Sequence, residues 1–348
     1  MDWVLLILSL LVILAGAELF TNGVEWVGEG FGLSEGAVGS VLAAVGTALP
    51  ETLLPIIAIV SGHSAGEDIG TGAILGAPFM LTTLAMVVVA VAVFIFARGG
   101  RRPLELDIDR GVIQQDLGYF LVMYSLAVVA GLLKSKPFDY ALVVVLVVGY
   151  VYYVRRHFLT ETPAPADPDE ADAESDIHPL YFWGWLRRVM RSLPEWTKDG
   201  PVSAPFVQVA VALGLIILGA EIFVDAVSNI GTAAGIPPLA FSLLVAPLAT
   251  ELPEKFNSVI WVSRRKDTLA MGNMTGAMVF QSAFPVSIGL LFTPWELHSE
   301  ALVAAVVALL AGSVLYLTLR IRGKLTAPLL LIQGVFYVSY VGYVLTKL

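Results

Sequence analysis

Ten long apolar runs dominate this 348-residue sequence and restrict what it can fold into. A run of about 20 apolar residues can cross the hydrocarbon core of a bilayer as an α-helix. Only helices and closed barrels satisfy their backbone hydrogen bonds in lipid, and runs this long favour helices over barrel strands. The sequence therefore predicts an all-α membrane protein. Its predicted spans are 3–21, 34–60, 69–97, 116–133, 138–154, 204–224, 237–263, 268–292, 299–319 and 325–346.

The composition agrees with this prediction and excludes several classes of protein. Hydrophobic residues make up 57% of the chain and charged residues 14%, whereas soluble domains have about 45–50% and about 25%. A soluble enzyme is excluded, and so is a nucleic-acid-binding protein, which needs a basic surface. The chain has no cysteine, and its four histidines form no His-x-x-x-His pair, which argues against thiolate metal sites and zinc hydrolases. We expect a protein that is not an enzyme and needs no cofactor.

One hydrophilic stretch, 157–202, separates the first five predicted spans from the last five. Seven acids without an intervening base lie between 161 and 176, so much of the net charge of −9 belongs to this stretch. Its composition is typical of a solvated linker. The segment Tyr181–Arg188 combines aromatic and basic residues and is predicted to lie at the membrane interface.

The lysines and arginines predict how the chain is oriented in a cell membrane. With the N-terminus outside, sixteen of the 20 basic residues fall on inside loops and three fall outside. Basic residues are retained on the cytoplasmic side of membrane proteins. Both termini are therefore predicted to be external and the acidic linker cytoplasmic. We expect a monomer in the lipid bilayer, with inorganic cations as its ligands.

The two halves of the sequence resemble each other in three blocks that occur in the same order. Five spans in each half mean that the second copy enters the membrane upside down, and such inverted repeats are typical of secondary transporters with a midplane substrate site. The predicted organisation is a first five-helix repeat in 1–156, the linker in 157–202 and an inverted second repeat in 203–348. The matching blocks are Ala15–Phe20 with Leu218–Phe223 and Thr47–Glu51 with Thr250–Glu254, both 203 residues apart, and Gly72–Ala77 with Gly272–Ala277, 200 apart.

Glu51 and Glu254 are the central pair of candidate functional residues. Each lies in the middle of a predicted span and occupies the same place in its repeat. A carboxylate at membrane depth costs several kcal/mol unless it has a partner or a wet cavity, so such groups are functional by default. We expect the repeat symmetry to bring the two carboxylates together at the midplane.

Oxygen-bearing groups surround both glutamates. Thr47 and Thr250 each precede a glutamate by four residues, a spacing that places both side chains on one helix face. A proline before each glutamate removes the backbone donor to the carbonyl four residues earlier. Hard cations such as Na⁺ and Ca²⁺ take this set of oxygens. The predicted ion ligands are Thr47, Glu51, Thr250, Glu254 and the carbonyls near Gly46 and Ala249, with Glu51 and Glu254 as the metal ligands.

These motifs resemble those of the calcium/cation antiporter superfamily. Its prokaryotic sodium/calcium exchangers carry Gly-Thr-Ser-Leu-Pro-Glu in both repeats. Here Gly46–Glu51 matches five of the six positions and Ala249–Glu254 matches four. The resemblance implies a sodium/calcium exchanger-like fold of ten helices in two inverted repeats. It also implies that the glutamates and threonines bind the ions, while the long first and sixth helices slide to alternate access.

The sequence departs from the family pattern at several ligand positions. The motif serine is replaced by Ala48 in the first repeat and by Glu251 in the second. In the following helices, serines become Ala77 and Ala277, and an amide or acid becomes Leu81 in one repeat and Gln281 in the other. Compared with the family pattern, the side chains of Gln281 and Glu251 are therefore further candidate ion ligands. Several oxygen ligands of the family are therefore absent, and a full set of sodium sites around a calcium site is not implied.

Lys255 is an added charge beside the predicted site. Glu251 precedes it by four residues, the favourable order for a helical ion pair. One interpretation is a local pair that neutralises the lysine, and another is that Lys255 occupies a cation position and modulates the transported charge. The function predicted is a secondary active cation antiporter of the sodium/calcium exchanger type. The alternatives are a proton-coupled cation exchanger that uses Glu251 and Lys255, and a membrane binding protein that has lost transport.

Overall fold

The structure is a computed structural model that describes residues 1–30, 49–61, 64–100, 102–160, 180–181, 204–297 and 299–347. Helices dominate this part of the chain, and a single isolated β-bridge joins Glu105 to Thr326. A π-helical turn, Leu81–Ala85, connects the third and fourth helices. The helices are α1 Asp2–Gly30, α2 Leu49–Val60, α3 Gly66–Met80, α4 Met86–Ala97, α5 Arg110–Leu133, α6 Lys136–Thr160, α7 Ala204–Ala234, α8 Pro238–Thr250, α9 Leu252–Ser263, α10 Asp267–Phe292, α11 Ser299–Arg322 and α12 Ala327–Leu345.

The protein is a multi-span membrane protein. In the described residues, eight stretches are long and apolar enough to cross a membrane, and α3, the π turn and α4 together form one of them. Two shorter apolar helices, Pro50–Val60 and Pro238–Leu248, lie within the predicted spans 34–60 and 237–263. The span predicted at 237–263 is divided at Glu251 into α8 and α9. The start of the span predicted at 34–60 lies outside the described residues.

The predicted linker also lies mostly outside the described residues. At its start, α6 continues to Thr160 and so extends beyond the predicted boundary at 156/157. Near its end, the backbone N–H of Tyr181 donates to Oδ1 of Asn22 in α1 at 3.0 Å, and Asn22 also accepts from Nε2 of Gln208 in α7 at 2.9 Å. The interfacial location predicted for 181–188 remains a prediction, because only its first residue is described.

The helices α1 and α7 pack against each other in antiparallel directions through repeat-related glycines. A Cβ atom on Gly16 would lie 2.8 Å from Cγ1 of Ile216, and one on Gly219 would lie 2.8 Å from Cγ1 of Ile13. The two contacts are equivalent, because Gly16 and Gly219 are 203 residues apart and so are Ile13 and Ile216. Small residues therefore allow these two long helices to approach closely, as in many membrane helix pairs.

The glycines of the third helix bring it against α8. A Cβ atom on Gly72 would clash with the carbonyl oxygen of Leu239, and one on Gly76 with that of Leu243. The packing role that their four-residue spacing predicts is therefore present. In the described part of the chain, the repeat-related Gly272 and Gly276 make no such approach. The same Cβ atom on Gly76 would lie 2.8 Å from Cγ of Pro247, so the close contact extends towards the end of α8, where Thr250 lies.

A buried ion pair holds the corner between α9 and α10. Nη2 of Arg102 lies 2.6 Å from Oδ2 of Asp267, and both side chains are almost fully buried. Nη1 of Arg102 also donates to the carbonyl of Val262 in the last turn of α9 at 2.8 Å, and Oδ2 of Asp267 accepts from the N–H of Asp107 at 2.9 Å. These bonds attach the loop that follows α4 to the corner between α9 and α10.

Candidate ion-binding site

Glu51 and Glu254 occupy equivalent positions in two short helices. Glu51 lies in the first turn of α2 and Glu254 in the first turn of α9. Proline is favoured at the start of a helix, where a backbone N–H needs no partner within the helix, and Pro50 and Pro253 stand there. Each glutamate is 6% exposed. The Pro-Glu sequence therefore places one buried carboxylate at the beginning of each of these helices.

The interruption between α8 and α9 positions a third carboxylate. Glu251 is the residue between these helices, with φ −90° and ψ 11°, and its side chain is fully buried. Its backbone N–H still donates to the carbonyl of Pro247 at 3.2 Å. Because Pro253 has no N–H to donate back to Ala249, the helix is weakened at this point. Ala249 itself lies in the last turn of α8.

Lys255 forms the ion pair that its spacing from Glu251 predicts. Its Nζ lies 3.2 Å from Oε2 of Glu251 and also donates to the carbonyl of Pro247 at 3.2 Å. Lys255 is 5% exposed. The ammonium is therefore enclosed by the protein and held by two oxygens from the interrupted helix.

Charged groups from the two halves of the chain interact with one another. The charges of Glu254, Glu251 and Lys255 all act on the carboxylate of Glu51. From α10, the buried side chain of Gln281 interacts with Glu251. All four charged side chains are buried, so three carboxylates and one ammonium form one buried cluster of interacting charges.

Several oxygens of this cluster lack the hydrogen bonds that buried oxygens normally have. Among the residues that the structure describes, neither carboxylate oxygen of Glu51 has a hydrogen-bond partner, and the same holds for Oε2 of Glu254 and Oε1 of Gln281. The carboxylate of Glu251 has the ion pair with Lys255 and lies beside the side chain of Gln281. Buried charges of one sign need a compensating cation or proton.

A small cavity lies beside Glu51, on the side where α3 meets α8. It leaves about 10 Å³ of room for the centre of a water-sized particle, roughly what one water needs. Oγ1 of Thr250 donates to the carbonyl of Ala246 at 3.1 Å, so its lone pairs remain able to bind a cation. The cavity is lined by Pro50, Glu51, Leu54, Pro55, Ala73, Ala77, Ala246, Pro247 and Thr250.

The structure unites only part of the predicted ligand set. Glu51, Glu254, Thr250, Glu251 and Gln281 are all buried. The predicted ligands Gly46 and Thr47 lie outside the described residues. Within the described ranges, no three acidic or histidine side chains are close enough together to hold a metal ion. The conformation therefore presents an oxygen-rich cluster rather than a closed metal cage.

Two contributors to the cluster are absent from the predicted ligand set. The carbonyl of Pro247 binds Lys255, and a proline eight residues before a lysine carries no sequence signal for this contact. Nδ2 of Asn273 in α10 donates to the backbone carbonyl of Glu254 at 3.2 Å. The match of the block 272–277 to 72–77 draws attention to this segment in the sequence. Only the structure shows that the side-chain amide of Asn273 contacts Glu254.

The sequence matches the family model described as "Sodium/calcium exchanger protein" over residues 1–158 and 204–346. It is 22% identical over 342 residues to a putative antiporter, CaxA, of Alkalimonas amylolytica, covering 98% of this chain and 96% of that protein. Two solved structures share the fold. A crystal structure of the H⁺/Ca²⁺ exchanger CAX matches with a TM-score of 0.69 at 17% identity, covering 98% of this chain and 82% of that one. The sodium-calcium exchanger NCX_Mj matches with a TM-score of 0.54 at 18% identity, covering 98% and 97%.

Proposed function

Since this chain belongs to the sodium/calcium exchanger protein family, we propose that it is a secondary active antiporter that exchanges Ca²⁺ for monovalent cations at a centre formed by Glu51 and Glu254. The chain is a membrane transporter and not an enzyme. Its cations are substrates, and no cofactor is expected. The observation that carries the proposal is the pair of buried carboxylates, one from each repeat, whose oxygens have no hydrogen-bond partner among the described residues.

The chemistry of the cluster suits hard cations. Carboxylates, hydroxyls and carbonyls are the ligands that Ca²⁺ and Na⁺ take. Glu51 and Thr250 line one cavity, and Glu254 acts on Glu51 through its charge. In the Ca²⁺-loaded state, the carboxylates of Glu51 and Glu254 bind the ion. The hydroxyls of Thr47 and Thr250, the carbonyls near Gly46 and Ala249, and the side chain of Gln281 supply further oxygens, whereas the carboxylate of Glu251 is paired with Lys255.

We propose that the helices form two inverted repeats of five spans, with this centre at the midplane of the membrane. The antiparallel contact of α1 with α7 supports the symmetry, because Gly16 and Gly219 make equivalent contacts. The excess of basic residues on one set of loops supports external termini and a cytoplasmic linker. The protomer is a monomer in this proposal, since both glutamates come from one chain.

Alternating access follows from movement of α1 and α7 together. These helices have 29 and 31 residues, roughly 44 and 46 Å at 1.5 Å per residue, so they exceed a hydrocarbon core of about 30 Å and must tilt. They pack closely on each other through Gly16 and Gly219. We propose that this pair slides across the remaining helices and opens the glutamate centre to one side of the membrane at a time.

A second candidate is exchange of Ca²⁺ or another cation for protons. The observation that favours it is the buried pair of Glu251 and Lys255, because both groups can gain or lose a proton. In this scheme the proton replaces Na⁺ as the coupling ion, while Glu51 and Glu254 still bind the transported cation.

The two candidates are separated by flux measurements on proteoliposomes loaded with radioactive Ca²⁺. Release driven by an inward Na⁺ gradient at constant pH supports sodium coupling, and release driven only by a pH gradient supports proton coupling. Ca²⁺ binding without release under either gradient contradicts antiport and indicates a binding protein.

The same assay tests the site. We expect Glu51→Gln and Glu254→Gln each to abolish driven Ca²⁺ release, because each removes a charge that the cation needs. Glu105→Gln is the matched control, since Glu105 is a half-exposed carboxylate that pairs with Lys324 on the surface. Wild-type flux in both site variants would contradict the assignment.

A further inference from the structure

We infer that Lys255 is a built-in cation: its ammonium permanently fills the second-repeat side of the site, so that transported ions need to supply only the charge that the remaining carboxylates require. This inference rests on the proposed function and specifies how many charges the site exchanges. The observations that carry it are the surroundings of the ammonium, the comparison of the two repeats and the charge of the cluster.

The ammonium occupies the kind of surroundings that a small monovalent cation takes in a protein. It lies 3.2 Å from a carboxylate oxygen of Glu251 and 3.2 Å from the backbone carbonyl of Pro247. Both Glu251 and Lys255 are at least 95% buried. Carboxylate and carbonyl oxygens are also the ligands of hard metal ions. The side chain therefore delivers a positive charge to oxygens that would otherwise attract a free cation.

The first repeat lacks both members of this pair. Glu251 corresponds to Ala48 and Lys255 to Thr52, at the same offset of 203 that relates Glu254 to Glu51. One repeat thus carries the carboxylate together with the ammonium, and the other carries neither. If the carboxylate of Glu251 bound a transported ion, it would need no lysine beside it. Because Glu251 and Lys255 occur together, we infer that the positive charge of Lys255 neutralises the negative charge of Glu251.

The net charge of the cluster then defines how much positive charge the transported ions must supply. Glu51, Glu251 and Glu254 contribute three negative charges when ionised, and Lys255 contributes one positive charge. The remaining two negative charges are balanced by one Ca²⁺ or by two monovalent cations. The inference therefore predicts exchange of one Ca²⁺ for two monovalent cations, with no net charge moved in a cycle. The exchangeable ion is confined to Glu51, Glu254 and the cavity that Thr250 lines.

The test is exchange of Ca²⁺ for Ca²⁺ across proteoliposome membranes, because this reaction needs no coupling ion in the wild type. In Lys255→Ala the place of the ammonium is vacant and Glu251 is uncompensated. We expect exchange to become dependent on an added monovalent cation that enters this place. Methylammonium and Na⁺ are the probes, with a large quaternary ammonium as the impermeant salt control. The expected stimulation is about tenfold or more, equivalent to about 1.4 kcal/mol of charge compensation.

The double variant Glu251→Ala/Lys255→Ala is the matched control, since it removes both charges and copies the neutral pattern of the first repeat. We expect the Ca²⁺ exchange of this double variant not to be stimulated by methylammonium or Na⁺. If Lys255→Ala does not fold, Lys255→Gln is compared with Glu251→Gln/Lys255→Gln in the same way, after gel filtration shows that both are monodisperse.

The outcomes separate the inference from the proposed function. Lack of Ca²⁺ exchange and of gradient-driven release in the wild type would contradict the proposed function itself. Normal exchange in the wild type together with a folded Lys255 variant that is indifferent to added monovalent cations, whether active or inactive, would overturn the inference alone. Stimulation of the single variant but not of the double variant would support it.

Discussion

Substituting Gly219 by alanine tests whether close packing of α1 on α7 is needed, and Gly214→Ala on the same helix is its matched control. A Cβ atom on Gly219 would lie 2.8 Å from Cγ1 of Ile13 and 3.1 Å from the carbonyl oxygen of Ser9. Carbon atoms in good contact are about 3.5–4.0 Å apart. The two helices must therefore separate by several tenths of an ångström, or Ile13 must leave its rotamer.

The magnitude follows from comparing the two glycines. Forcing an extra methyl group into a packed interface costs about 1–3 kcal/mol. In the described part of the chain, a Cβ atom on Gly214 meets no atom within 4 Å. Both substitutions gain the same helix propensity, up to about 1 kcal/mol, so this gain cancels between the variants. We therefore expect Gly219→Ala to be less stable than Gly214→Ala by about 1–3 kcal/mol.

Thermal unfolding of the purified variants in one detergent measures this difference. We expect Gly219→Ala to unfold a few degrees below Gly214→Ala, and Gly16→Ala to behave like Gly219→Ala because its contact with Ile216 is equivalent. The antiport rate in proteoliposomes should fall in the same order if α1 and α7 move as a packed pair. Equal unfolding temperatures for the Gly219 and Gly214 variants would refute the packing argument.

Three further predictions concern the corner, the cavity and the charge balance. Arg102→Met should destabilise the protein by about 3–5 kcal/mol, because it leaves the carboxylate of Asp267 buried without its ion pair. Thermal unfolding measures this loss, and the control variant Arg102→Met/Asp267→Leu should recover much of it. Thr250→Val should weaken Ca²⁺ binding about tenfold by removing a hydroxyl from the cavity, an effect of about 1.4 kcal/mol, whereas the control Thr232→Val, on an exposed turn of α7, should not. Equilibrium dialysis with radioactive Ca²⁺ measures both affinities, and equal values would contradict the ligand role of Thr250. Driven Ca²⁺ release should not respond to a membrane potential set with K⁺ and valinomycin, because the charge of Lys255 leaves the site needing one Ca²⁺ or two monovalent cations, and their exchange moves no net charge. A membrane potential that changes the extent of release would contradict this charge balance.

Local signals in the sequence were sufficient for much of the fold. Eight of the predicted apolar runs correspond to stretches long enough to cross a membrane, because lipid favours uninterrupted helices. The run 237–263 is instead divided at Glu251. The spacing of Glu251 and Lys255 predicts their ion pair for an equally local reason, since residues four apart meet on a helix. The block that contains Gly219 matches the block that contains Gly16, and these two glycines make equivalent contacts.

Features that depend on contacts between distant segments could not be predicted. The backbone carbonyl of Pro247 binds Lys255 only because the chain turns at Glu251, and a carbonyl carries no residue-specific signal. The cavity wall contributed by Ala73 and Ala77 depends on the approach of α3 to α8. The buried pair of Arg102 and Asp267 joins residues that are 165 positions apart in the sequence. Tertiary packing decides each of these arrangements.

The central claim is that Glu51 and Glu254 bind the transported cation together. An anomalous difference map from crystals soaked with Ca²⁺ or Sr²⁺ tests it most directly. We expect one peak at a Ca²⁺–oxygen distance of about 2.3–2.6 Å from carboxylate oxygens of both residues, and we expect this peak to be lost in crystals of Glu254→Gln. A peak that lies away from both carboxylates, or one that persists unchanged in Glu254→Gln, would contradict it.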